Sequence, residues 1–193
     1  MQKYFENIET LHRFTLELDC HADDLQCEKC FSTGHFVSHG FLYKAQHQGE
    51  KQTVGKRIFC SNRFGRAGCG GTCRLYLAER IPQLHYASRH LFVFIQQLIA
   101  GCSICNAYQQ ATAAADPRHG YRWLTRLRGN LLAYRSWLPL AKRHEKSGSF
   151  HQRTERLQHL LPTLQTLLHR NEEESLCFCP CAQMQWQRQQ EFF

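Results

Sequence analysis

Two cysteine pairs carry the clearest chemistry in this chain: Cys27-Glu-Lys-Cys30 and, thirty residues further on, Cys60-Ser-Asn-Arg-Phe-Gly-Arg-Ala-Gly-Cys69. A Cys-x2-Cys turn aims two thiolates at one point. A second pair delivered from a neighbouring hairpin completes the tetrahedron of a structural Zn2+, with Zn–S distances of about 2.3 Å. The second pair departs from the plain pattern, because eight residues separate its cysteines. Gly65, Gly68, Gly70 and Gly71 give that segment the freedom to fold back and bring its ends together. The expected ligand set is Cys27, Cys30, Cys60 and Cys69. Cys73, in Cys-x3-Cys spacing with Cys69, is an alternate for Cys60, and His21 is an alternate that would give a Cys3His set. Such a site leaves no position open to water, so its expected role is to hold a small loop-rich module folded.

The chain has eleven cysteines in 193 residues. Its first residues are polar and of mixed charge, unlike a secretory signal, so the expected compartment is reducing and the thiols read as metal ligands or buried groups. Cys102 and Cys105 are expected on one helical turn with no second pair nearby, as buried thiols. Cys177, Cys179 and Cys181 could join a histidine such as His159 or His169 around a second metal. A flexible, redox-sensitive tail is the preferred reading for that segment.

Charge is unevenly distributed. Residues 31–170 hold 20 of the 24 Lys/Arg and only 5 of the 16 Asp/Glu, a net +15, while the two ends together carry −7. A cationic segment of this kind is the electrostatic footprint of a nucleic-acid binder, since each neutralised phosphate releases counterions. The longest apolar run, Leu91 to Ala100, contains Gln96 and Gln97 and is far short of a membrane span. No P-loop, nucleophile elbow or His-Glu-x-x-His motif occurs, and the carboxylate clusters Asp23-Asp24 and Glu172–Glu174 lie outside any expected strand end. The chain reads as a non-enzyme whose one cofactor is Zn2+.

The positioning elements follow from periodicity. Ile8, Leu11, Phe14 and Leu18 predict a short amphipathic helix, and residues 36–43 and 54–59 predict a β-hairpin leading into Cys60, with residues 72–77 as a third strand. Beyond the break at Pro82, apolar spacing predicts a helix over 88–100, and Ser103 as N-cap predicts a second. Asp116-Pro117 opens a third, expected to run towards Trp137. Helix, short helix, turn and basic helix outline a helix-turn-helix. Its last helix offers Arg118, His119, Arg122 and Thr125 as base readers and Arg126 and Arg128 for phosphate. In the ribbon, Lys56, Arg57, Arg63 and Arg66 interleave with aromatics and are further candidates for DNA contact. Residues 142–150 read as a linker, and leucines from 157 to 168 predict one more helix over 153–170, with Pro162 kinking it or setting its start. The expected fold is α+β: a zinc ribbon with an N-terminal helix over 1–80, a helix-turn-helix over 81–141, a C-terminal helix over 142–170, and a flexible tail over 171–193.

Gly55-Lys-Arg-Ile-Phe-Cys60-Ser-Asn-Arg63, closing on Gly68-Cys69-Gly-Gly-Thr72, resembles the zinc-ribbon segment of bacterial insertion-sequence transposases and their small accessory proteins, in which a helix-turn-helix commonly follows. The resemblance covers roughly residues 25–137. It implies recognition of double-stranded DNA at element ends. The family's separate carboxylate-bearing strand-transfer domain has no counterpart in this length, so what is implied is an accessory factor or repressor in the bacterial cytoplasm, associated with the nucleoid. Its expected partners are a transposase or recombinase and a second copy of itself. The competing expectation is a protein-interaction adaptor that docks onto a recombinase or phage protein through the ribbon and the C-terminal helix.

Overall fold

Alternation of apolar and polar residues builds the first half of the chain, and 3.6-residue periodicity the second. A computed structural model describes residues 2–21, 25–45, 51–82, 86–138, 157, 159–174, 179–190 and 192–193. Over these the protein is mixed α+β, with a four-stranded sheet and seven helices. In chain order the elements are β1 (Gln2–Phe5), α1 (Ile8–Leu16), β2 (Phe36–Ala45), β3 (Lys51–Cys60), β4 (Thr72–Leu77), α2 (Ser88–Ile99), α3 (Ile104–Thr112), α4 (Arg118–Gly129), α5 (Leu131–Trp137), α6 (Leu160–Glu174) and α7 (Pro180–Arg188). The described residues fall into two units, 1–85 with 185–191 and 86–184 with 192–193.

In the first unit the sheet order is β1-β4-β3-β2. β2 and β3 form the expected antiparallel pair, from Phe36 opposite Cys60 to Ala45 opposite Lys51, and β4 pairs antiparallel with β3. The hairpin turn at 46–50 lies outside the described residues. β1 pairs parallel with β4, Tyr4 opposite Tyr76, an element that the helix expected over 1–20 did not include. That helix is α1, which begins at a capping box where Asn7 accepts the amide of Thr10 at 2.9 Å. Leu11 and Phe14 of α1 pack with Leu25, Cys27, Phe36, Ile58, Cys60, Cys73 and Leu75 into one apolar core. Cys27 and Cys60, two of the expected metal ligands, are therefore part of the core.

In the second unit the periodic segments are the expected helices with one correction. The basic helix does not continue to Trp137: it ends at Gly129, and Asn130, in a non-helical conformation, joins it to α5. Gly and Asn are poor helix residues, and their succession breaks the run. Ser103 caps α3 by accepting the amide of Asn106 at 3.3 Å. At the start of α4, Asp116 accepts the amide of Arg118 at 3.0 Å. Gly120 lets α4 approach α3 closely, since a Cβ there would stand 2.8 Å from that of Tyr108. Trp123 occupies the centre, edge-on to Tyr86, Phe94, Tyr108 and Phe193 at ring separations of 5.2 to 6.0 Å. Truncating a buried Trp of this kind costs about 3–5 kcal/mol.

The chain beyond residue 170 needs a second correction, because the expected flexible tail contains α7 and a buried end. Pro180 supplies the fixed φ suited to a helix's first position. Cys181, Ala182 and Met184 are buried, as are Phe192 and Phe193. Tyr134 donates its hydroxyl to the Phe192 carbonyl at 2.5 Å, which anchors the chain end. The leucine-rich helix is described from Leu160, with Pro162 in its first turn and Leu160, Leu161, Leu164, Leu167 and Leu168 buried. The linker expected at 142–150 lies outside the described residues.

Candidate metal centre and basic surfaces

Four cysteine sulfurs meet at the end of the sheet. Cys27 and Cys30 sit on the turn before β2, Cys60 ends β3, and Cys69 precedes β4. Cys27 Sγ lies 3.6 Å from Cys69 Sγ and Cys30 Sγ 3.7 Å from Cys60 Sγ, and all four sulfurs are within 4.8 Å of one another. Four thiolates at about 2.3 Å from a common centre would stand about 3.8 Å apart, so the site fits one tetrahedral metal ion. Each close pair joins one cysteine from each half of the site. The turn that carries the first half is closed by Phe31 N–H to the Cys27 carbonyl at 2.8 Å and Cys27 N–H to the Ser32 carbonyl at 3.0 Å.

Polar groups press on these sulfurs. The Ser32 hydroxyl, 2.9 Å from Cys30 Sγ, and the Ser32 amide together hold the Cys30 thiol down at about 6. Burial works to raise the Cys27 thiol, but the amides of Cys30 and Lys29 prevail and lower it. The Gly71 amide donates to Cys69 Sγ at 3.3 Å, yet burial and the three neighbouring thiols outweigh that bond and push Cys69 up to about 11. Cys60 is raised, chiefly by burial, against the lowering effect of the Cys69 amide. Four sulfurs this close cannot all carry negative charge without a cation among them. Ser32 was missed at the sequence level, although its place two residues after Cys30 marks it, since the amide there faces the knuckle sulfur.

The alternates lie elsewhere. Cys73 is buried in the apolar core, opposite Ile58, and burial raises its thiol. His21 stacks on Phe14 with ring centres 4.7 Å apart. Of the tail cysteines, Cys177 lies outside the described residues. Cys179 bonds to Ser88 Oγ at 3.2 Å, and Cys181, its thiol raised by burial, is fully buried. Among the described residues only Cys27, Cys30, Cys60 and Cys69 form a group able to hold a metal.

The eight residues between Cys60 and Cys69 form a small hairpin finger. Cys60 N–H bonds to the Gly71 carbonyl at 2.8 Å, Gly70 N–H to the Cys60 carbonyl at 2.9 Å, and Gly68 N–H to the Ser61 carbonyl at 2.9 Å. Gly68 is required by this closeness, because a Cβ would collide with the Ser61 carbonyl oxygen and stand 2.7 Å from the Cys60 carbonyl carbon. At the tip, Arg66 N–H bonds to the Arg63 carbonyl at 3.2 Å, with Phe64 and Gly65 at φ 54° and 78° between them. Two central residues at positive φ are the mark of a type I′ turn.

The candidate DNA-contact residues separate into groups. Arg63 is exposed at the finger tip, while Arg66 is half-buried, donating to the Gly34 carbonyl at 3.1 Å and lying 3.5 Å from Asp19. Arg57 is exposed on β3 with the exposed Arg74 of β4 directly opposite. Lys56 must be withdrawn as a contact. It is buried, donates to Thr15 Oγ1 at 2.7 Å and lies 4.9 Å from the Phe41 ring centre. Lys56 shares with Ile58 the face of β3 that meets α1, whereas Val54, at the register shift in the β2–β3 pairing, packs with Tyr4, Leu42 and Tyr76. On α4, residues 118, 119, 121, 122, 125, 126 and 128 are exposed, and Gly120, Trp123, Leu124 and Leu127 are buried. Arg118 is paired with Asp116, Nη2 to Oδ2 at 2.6 Å, and Arg126 lies over the Phe193 ring at 5.3 Å. His119 stacks on Tyr108 at 6.4 Å, and the Thr125 hydroxyl bonds back to the Tyr121 carbonyl at 3.0 Å.

Comparison with protein-family profiles, curated proteins and solved structures finds no match to this chain. No helix among the described residues is long and apolar enough to cross a membrane.

Proposed function

We propose that the protein is a zinc-dependent binder of double-stranded DNA. The observation that carries this reading is the outward face of α4, which sets Arg118, Arg122, Arg126 and Arg128 around a buried Trp123 stripe and includes no acidic residue. A cationic helix at the end of a helix-turn-helix outline is suited to the major groove, where arginine addresses guanine edges and phosphates alike. The Arg57–Arg74 cross-strand pair supports it independently. Like charges placed directly opposite are destabilising, and an anionic partner relieves them. Zinc is the metal proposed because four cysteine thiolates in tetrahedral array suit it, and its role is structural, fixing the ribbon and its finger. The setting we propose, resting on the ribbon resemblance, is mobile DNA, with the chain as an accessory factor or repressor and strand transfer left to a partner recombinase.

Selection of bound fragments from a random duplex pool, followed by salt titration, tests the reading. A consensus with a steep log–log salt dependence is expected, and Arg128→Ala should lower the slope by about one unit, while Arg122→Ala should relax the consensus at one position. Absence of any enriched duplex, or unchanged affinity in Arg122→Ala and Arg128→Ala together, would overturn it.

A further inference from the structure

Phe64 combines two costs at one position. Its side chain is 99% exposed, and its backbone is left-handed, a conformation that a bulky L-residue rarely adopts. A lone exposed aromatic is ordinary, but one held in strain at the tip of a pinned hairpin, contributing no burial to the fold, marks a contact surface. Directly beside it is a cleft of about 300 Å³ lined by Val37, His39, Phe59, Ser61, Arg63, Phe64 and Arg66. His39 and Phe59 are themselves in ring contact at 5.8 Å, which gives the cleft an aromatic wall. Two arginines and no carboxylate complete the lining. An aromatic wall, a second aromatic on the finger tip and the exposed Arg63 guanidinium at the rim match a flat π-face attached to a phosphate.

We propose that this cleft receives one unstacked nucleotide, its base between Phe64 and the His39–Phe59 wall and its phosphate on Arg63, so that the protein prefers DNA at a point where a base is unpaired. The inference rests on the DNA-binding reading and extends it from duplex recognition to recognition of an opened position. The finger is what the long Cys60–Cys69 spacing encodes: a short knuckle would carry the metal equally well but would have no tip.

The test compares two fluorescent linear duplexes of one selected sequence, one fully paired and one with a single unpaired 2-aminopurine, measured by anisotropy at fixed salt with the metal-loaded full chain. The wild type should bind the unpaired DNA about tenfold more tightly and quench the 2-aminopurine. Phe64→Ala should lose that preference and the quenching while keeping its metal content and its affinity for the paired duplex, and Phe64→Trp should restore both. Equal affinity for the two DNAs in the wild type, or a preference that survives in Phe64→Ala, would overturn the proposal and leave duplex binding standing. Failure to bind either DNA would remove both.

Discussion

The side chain of Gln189 pairs with the backbone of Tyr4 as a neighbouring strand would: its amide donates to the Tyr4 carbonyl at 2.9 Å, and its carbonyl accepts the Tyr4 N–H at 2.8 Å. β1 is the outer strand of the sheet, and these bonds close its edge at a residue only 1% exposed. Gln189→Ala should therefore cost about 1–3 kcal/mol by leaving buried groups without these partners. Amide exchange at Tyr4 should accelerate with it. Unchanged exchange would show that the pairing does not persist in solution.

Metal content separates the sulfur cluster from its alternates. Serine at Cys27, Cys30, Cys60 or Cys69 should bring the bound metal well below one per chain, whereas Cys73→Ser and His21→Ala should retain it, as read by atomic emission. Loss in Cys73→Ser with retention in Cys60→Ser would reassign the ligand set.

Gly65→Ala and Gly68→Ala should differ in kind. A Cβ at Gly65 meets nothing within 4 Å, so the cost is that of the left-handed backbone, about 1–2 kcal/mol, with metal affinity preserved. At Gly68 the Cβ meets the carbonyls of Ser61 and Cys60, which must move with the sulfur. Metal affinity should fall at least tenfold there, measured by competition with a chelating dye, and equal affinities in the two variants would refute the finger's closure.

Much of this arrangement is legible along the chain. The Cys-x2-Cys turn, the three antiparallel strands, Ser103 and Asp116-Pro117 announce themselves through local chemistry, because caps, turns and period-2 alternation act within a few residues. The Lys56 inward face was only half readable: Ile58, two residues on, shares it, but the register shift at Val54 interrupts the alternation, and the charge of the side chain pointed to the surface. β1 was not readable. Four residues carry no period, and their parallel partner lies some seventy residues on, at Arg74 to Leu77. The Gln189 pairing with Tyr4 spans 185 positions and leaves no local trace. The meeting of Cys60 with Cys69 was inferable only because glycines flank the gap; which of Cys60 and Cys73 turns towards the sulfurs is decided by strand register.

Lys56 sets an alkaline signature. Burial lowers its ammonium below 10.5, so the folded chain binds fewer protons than the unfolded chain between that lowered value and 10.5. Stability should rise with pH across that window, and the cost of the buried charge is fully present below it. Lys56→Met should stabilise the protein by about 1 kcal/mol at neutral pH and shrink the alkaline rise, as followed by chemical denaturation at several pH values. A loss of stability would mean that the Thr15 and Phe41 contacts outweigh desolvation.

Asp116 holds Arg118 at the start of α4. The Arg118 hydrogen bonds, side chain first and then backbone, keep the Asp116 carboxyl at about 2, so this contribution is present above 3.8 and is lost as pH falls towards 2. At neutral pH, Asp116→Ala should release Arg118 and remove a negative charge. DNA binding should then strengthen, with a salt slope steeper by about 0.9. An unaltered slope would place Arg118 away from the DNA.

The Ser61–Gly68 pairing makes the distance between Cys60 and Cys69 along the chain independent of their distance in space. Residues 62–67 leave and rejoin the end of the sheet at adjacent points, so their number can change without moving a sulfur. Doubling such a loop costs about 0.6 kcal/mol in closure entropy. As far as the sulfurs are concerned the length of the tip is thus free to drift, as in an antibody loop on a fixed frame, so constraint on Arg63 and Phe64 comes from what the tip contacts, and constraint on the two glycine-bounded ends from the sulfur cluster.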